Sequence, residues 1–210
     1  MTSWHKKYPE QVHQVSRMVM RIVFLMLALF LNACGGLPAF FDTGGSSSNS
    51  HQVYADWPEG WRTFQPAITD REAAKEGLRS FATHDGFGLQ IIRLSQRSIT
   101  DAFKYTKKTL SPDMLPLQVA RIIADDIRAN PDVVDLIISE MSPATLAGSE
   151  AFRLNLNYRS KAGLRRQSIV YGCIDKGLLT LLSFDAPRRH YFSPDLPTFE
   201  RMKDSVIWIS

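Results

Sequence analysis

Two cysteines in 210 residues are too few for a disulfide framework or a cysteine-built zinc site, both of which draw on larger sets of thiols. Histidine is scarce as well. Past Cys34 only His51, His84 and His190 remain, which leaves little material for a multi-histidine metal site or a histidine-based triad. No Gly-x-Ser-x-Gly, His-Glu-x-x-His or Gly-rich phosphate loop occurs, so the common esterase, zinc-peptidase and nucleotide-binding signatures are missing. The uninterrupted apolar run at residues 22–31 falls well short of the about 20 residues that a spanning helix needs and has the length of a signal-peptide core.

A strong excess of one charge is also lacking. The chain carries 25 Lys and Arg against 21 Asp and Glu. Lys6, Lys7, Arg17, Arg21 and Glu10 precede Cys34, so the remainder has 21 basic and 20 acidic side chains and a net charge of +1. That near-balance removes any global electrostatic argument for nucleic acid.

What the N-terminus does have is a leader in three parts. Arg17 and Arg21 supply positive charge, residues 22–31 are apolar, and Asn32-Ala33 brings small residues before Cys34. The run Leu31-Asn32-Ala33-Cys34-Gly35 resembles the lipobox of bacterial lipoproteins. The sixteen residues before Arg17 are long for such a leader and are consistent with a start at Met18 or Met20. The resemblance implies removal of residues 1–33, a diacylglycerol thioether on the Cys34 sulfur and acylation of the freed amine. More than one chain is needed for firm anchoring, because each buried methylene contributes about 0.8 kcal/mol and a single myristoyl chain binds only marginally. Gly35, rather than Asp, after the cysteine resembles lipoproteins exported to the outer membrane, facing the periplasm.

Residues 34–56 read as a flexible tether, with Gly44-Gly45-Ser46-Ser47-Ser48-Asn49-Ser50 at its centre. Residues 57–210 are enough for one compact domain. Trp61 to Phe64 reads as a short opening strand. Residues 78–83 and 87–94 flank His84-Asp85-Gly86, a hairpin signal. Residues 112–129 read as a helix, with Ser111 as cap, Pro112 in the first turn and Asn130-Pro131 as stop. Leu115, Val119, Ile122, Ile123 and Ile127 form its apolar stripe. Phe152, Leu154, Leu156 and Tyr158 alternate with polar neighbours, the period of a half-buried strand. Short turns at residues 161–163 and 175–177 lead into strands 164–174 and 178–184 and require antiparallel pairing. A last helix opens at Ser193-Pro194, with Leu196, Phe199 and Met202 on one side, and Val206 to Ile209 closes the chain. Grouped strands with two principal helices give an α+β antiparallel sheet sandwiched by helices.

The run Ala186-Pro187-Arg188-Arg189-His190-Tyr191-Phe192-Ser193, continuing through Phe199-Glu200-Arg201-Met202 to Ser205 and preceded by Ala147-Gly148 and Phe152-Arg153-Leu154, resembles the PsbP-like family. The resemblance implies an α/β/α sandwich and an accessory or binding role, and it carries over no catalytic residue, cofactor or metal.

Among candidate sites, Arg159, Lys161, Arg165 and Arg166 cluster at one hairpin, and Arg188, Arg189 and His190 lie in the loop before the last helix. Brought together, they would form a surface for an anion or an acidic partner. His84-Asp85 reads as turn chemistry, Asp125-Asp126 as a solvated helix face, and Cys173, amid apolar residues, as a small buried thiol. Tyr54, Trp57, Trp61 and Phe64 read as core. The expected function is a lipid-anchored, non-enzymatic envelope module that engages a protein or envelope polymer. The alternatives are a small-molecule or lipid carrier, which requires an apolar cavity between helix 112–129 and the sheet, and an enzyme built from scattered residues.

Overall fold

Phe152, Leu154 and Leu156 are buried and the polar residues between them are not, so the alternation in this segment does set one face of a strand inward. The computed structural model describes residues 41–42, 53–66 and 70–209. The chain divides at Pro38 into Met1–Pro38 and Ala39–Ser210. All described residues belong to the second; Cys34, the segment read as a leader and the central Gly/Ser tract lie outside them.

The elements are β1 (Phe41–Asp42), β2 (Val53–Tyr54), β3 (Arg62–Phe64), α1 (Arg71–Lys75), β4 (Leu78–Thr83), β5 (Ile91–Ser98), α2 (Pro116–Arg128), β6 (Val133–Leu146), β7 (Ser149–Ser160), β8 (Arg165–Asp175), β9 (Leu178–Pro187), α3 (Phe192–Ser205) and β10 (Ile207–Trp208). Eight strands form one sheet in the order β1-β3-β4-β5-β9-β8-β7-β6, with every neighbouring pair antiparallel. β2 and β10 make a separate ribbon. The expected α+β architecture is the one observed.

Two apolar clusters line the two faces of the sheet. Ile92, Leu94, Ile169, Tyr171, Cys173, Leu182 and Phe184 pack with Phe192, Phe199 and Met202 of α3 and with Trp57 and Trp61. Leu154, Leu156, Val170 and Leu179 pack with Val119, Ala120, Ile123 and Ala124 of α2 and with Ile99, Phe103 and Leu110 of the preceding loop. β8 and β9 contribute to both clusters, so both of their faces are apolar. Burying each large side chain there contributes roughly 1.5–3 kcal/mol.

Turn chemistry fixes the register. Ala147-Gly148 and Lys176-Gly177 close two-residue hairpins with positive φ at both positions (51° and 78°, 48° and 77°), the type I′ geometry that matches strand twist and favours glycine second. At Gly172 the requirement is space: an added Cβ would lie 2.6 Å from Leu181 Cδ2 and 2.6 Å from Phe152 Cε1.

Three of the differences from the sequence reading have a clear physical cause or consequence. α2 begins at Pro116, and residues 112–113 form a turn. Pro116 offers the same first-turn advantage as Pro112, and the Leu115 N–H donates to the Gln118 side chain at 2.9 Å. Leu115 is therefore outside the buried stripe and 65% exposed. β5 begins at Ile91 rather than residue 87, because the Gly88 and Leu89 carbonyls accept hydrogen bonds from the Arg166 guanidinium instead of a ladder partner. The core also reaches back into the segment read as tether, since Val53 and Ala55 are fully buried.

Candidate functional site

Antiparallel pairing of β7 with β8 and of β8 with β9 brings the predicted basic residues to one end of the sheet. Arg159 faces Arg165 across β7–β8, and the Arg188 N–H donates to the Arg165 carbonyl at 3.0 Å. The loop before α3 therefore lies beside the β7–β8 hairpin. Arg165, Arg188, Arg189 and His190 bound one open concavity together with Leu164 and Tyr191. Arg165 and Arg188 also line a smaller cleft of about 260 Å³ beside Asp135, Ile137 and Arg159.

The members have different electrostatic states. Arg159 pairs with Asp135. Lys161 is exposed, and its backbone N–H donates to the Asp132 backbone carbonyl at 3.0 Å. Arg165, Arg188 and Arg189 are exposed, and no described carboxylate lies within ion-pair reach of them. His190 holds the left-handed backbone conformation (φ 69°) that turns the chain into α3. Leu164 and Ile137, 44% and 63% exposed, add apolar surface beside the cations.

Arg166 also lines the smaller cleft, but it is a buried, paired group and not an exposed cation as the sequence reading had it. It is 8% exposed, its Nε donates to Asp185 Oδ1 at 2.6 Å, and its two terminal nitrogens donate to Gly88 O and Leu89 O at 2.6 and 2.8 Å. Tyr158 donates to the other Asp185 oxygen at 2.7 Å, and burial, then the neighbouring carboxylate, push its phenol far above the ordinary range. Arg166 thereby ties the Gly88 and Leu89 carbonyls of the β4–β5 turn to Asp185 of β9.

The other candidates resolve locally. His84 stacks on Trp61 with ring centroids 5.6 Å apart, and its Nδ1 is 3.8 Å from Asp85. Asp85 instead accepts from buried Gln90 at 2.7 Å, as a turn residue would. Asp125 pairs with Lys108 and Arg128 on the solvent side. Asp126 corrects the expectation of a solvated face, because it accepts from the N–H groups of Tyr105 and Thr106 at 3.0 and 2.7 Å and from the Thr106 hydroxyl at 3.0 Å. Cys173 is buried, and that burial pushes its thiol up to about 12. Trp57, Trp61 and Phe64 are core residues, and Tyr54 is half-buried.

A polar chain across the α3 side escaped sequence reading. Glu140 pairs with Arg153, Arg153 Nε donates to the Tyr171 hydroxyl at 3.0 Å, and that hydroxyl donates to Glu200 Oε2 at 2.9 Å. Burial, then Glu200, raise the Tyr171 phenol to about 12. The alternating Arg153 gave the direction of its side chain, but its partners come from β6, β8 and α3.

Comparison with known proteins adds fold information. No family model matches the chain, and no curated protein matches it. Among solved structures it is similar to cyanobacterial PsbP (CyanoP) from Synechocystis sp. PCC 6803, at 12% identity over 84% of this chain and 98% of that one, with a TM-score of 0.56. It is also similar to a protein from Bacteroides thetaiotaomicron (10% identity, 80% and 50% covered, TM-score 0.49) and to a protein of unknown function from Pseudomonas aeruginosa (8%, 79% and 93%, 0.38). The first likeness, taken with the antiparallel sheet between two helices, shows that this chain carries a domain of the PsbP-like α+β fold.

Proposed function

We propose that this protein is a lipid-anchored, non-enzymatic accessory module of the bacterial envelope. It is held at the outer membrane through Cys34 and engages an anionic protein or envelope polymer through Arg165, Arg188 and Arg189. The supporting observation is the contrast within the cluster: Arg159 and Arg166 are neutralised by Asp135 and Asp185, whereas Arg165, Arg188 and Arg189 converge without a described counter-charge. Uncompensated guanidiniums around a concavity favour carboxylate- or phosphate-bearing partners, which they bind with charge-assisted hydrogen bonds. Exposed Leu164 at the rim gives such a partner an apolar contact. The lipobox-like leader and the Gly/Ser segment support a domain tethered near a bilayer.

Site-specific photo-crosslinking from position 164 in native envelopes, with mass spectrometry of the adducts, tests the reading. The expected result is one dominant adduct that disappears in the Arg165→Gln, Arg188→Gln, Arg189→Gln triple variant while the protein level is unchanged. Adducts that persist in the triple variant would overturn the assignment.

A further inference from the structure

A second concavity, of about 420 Å³, lies on the sheet face that α2 partly covers, away from the basic end loops. This volume is within the range of small-molecule pockets, roughly 300–1,000 Å³. Its floor is built where β5, β9 and β8 lie side by side. Arg93 faces Ser183 across β5–β9, Ser95 faces Leu181, and Ser183 faces Val170 across β9–β8. Ser95, Ser183 and Ser168 are short, so the face is hollow there; half-buried Leu181 and Ile127 border it, and the packed side chains of Leu156, Val170 and Ile123 close its floor.

The charges around the hollow are unevenly satisfied. Glu76 pairs with Lys104 at 2.9 Å. Asp185 is held by Arg166 and Tyr158, and Asp126 by three donors from residues 105–106. Arg97 lies over the Phe103 ring at 4.9 Å and donates to Ala102 O at 2.8 Å, with no carboxylate partner. Arg93 is exposed, and no described group pairs with it. The hollow thus offers cationic and hydroxyl donors at one side and an apolar lane at the other.

We propose that this groove binds a single-chain amphiphilic anion. Its carboxylate or phosphate head is held by Arg93 with the Ser95 and Ser183 hydroxyls, and its chain lies along the half-buried side chains of Leu181 and Ile127. Neither the lipid anchor nor the Arg165–Arg188 surface is needed for this site.

The test is nuclear magnetic resonance titration of the chain from Gly35 onward, which keeps the whole of the unit Ala39–Ser210. The probes are dodecanoate and dodecyl phosphate, with dodecyltrimethylammonium as the same tail on a cation and inorganic phosphate as a head without a tail. Both amphiphilic anions are expected to shift the amide signals of Ser95, Ser183 and Ile127, and the tighter of the two names the head group. Arg93→Gln, at an exposed position, is expected to weaken binding roughly tenfold or more with the remaining spectrum intact, while Arg188→Gln leaves it unchanged. The proposal is overturned if neither anion binds, if the cation or inorganic phosphate binds as tightly, or if Arg93→Gln has no effect.

Discussion

Arg166 and Asp185 form a buried ion pair across β8 and β9, 8% and 6% exposed, one residue along from the open guanidinium of Arg165. Two adjacent arginines on one strand therefore do unrelated work. Strand alternation sends them to opposite sides, and only Arg166 meets a carboxylate and two turn carbonyls.

That difference is measurable by urea unfolding. Asp185→Ala leaves a buried guanidinium without its anion and is expected to cost about 3–5 kcal/mol. Arg165→Ala, at an exposed position with no ion-pair partner, is expected to stay within about 0.5 kcal/mol of the parent. Equal losses from both would contradict the assignment of Arg166 to the fold and Arg165 to the surface.

Gly172 and Phe152 face each other across β7–β8, and the Phe152 ring occupies the space a Cβ would take. The backbone there is ordinary, so the cost of Gly172→Ala is steric, about 1–3 kcal/mol. Phe152→Leu withdraws the ring, so the double variant is expected to be less destabilised than the two single losses added together. Additive losses would argue against this contact.

Alkaline stability follows from buried acids that stay protonated in the folded protein. Cys173 is raised from 9.0 to about 12 and Tyr171 from 10.0 to about 12. Each group binds its proton more tightly when folded, so its contribution is complete below the ordinary value and is lost as pH climbs toward the folded one. Stability from these groups should be flat up to about pH 9 and then decline toward pH 12. Cys173→Ala should remove the earliest part of the decline. At neutral pH, Cys173 in a Cys34→Ala chain should react with a thiol reagent only as fast as the protein opens; rapid labelling of the native form would contradict burial.

For the anchor, Cys34→Ala should abolish fatty-acyl labelling in cells and shift the protein, once its leader is cleaved, from the membrane to the soluble fraction. Membrane retention of the cleaved variant would refute lipid anchoring.

Much of the sheet was legible because its rules are local. The 152–158 alternation, the glycine turn at residues 176–177 and the apolar run of β9 each depend on neighbours a few residues away. Helix α2 shows the limit of such rules: Pro112 and Pro116 both suit a first turn, and the choice went to the one whose preceding N–H meets Gln118.

Taken alone, the sequence determined the antiparallel succession of strands and the buried character of Cys173. Tertiary structure alone decided which arginines are free, because neutralisation depends on Asp135 and Asp185, each brought across from another strand. It also decided that Arg93, Ser95 and Ser183 share one hollow. β5 and β9 are neighbours in the sheet although α2 and three strands separate them in the chain. Local periodicity fixes the face on which a side chain emerges, and pairing between distant segments fixes what it meets there.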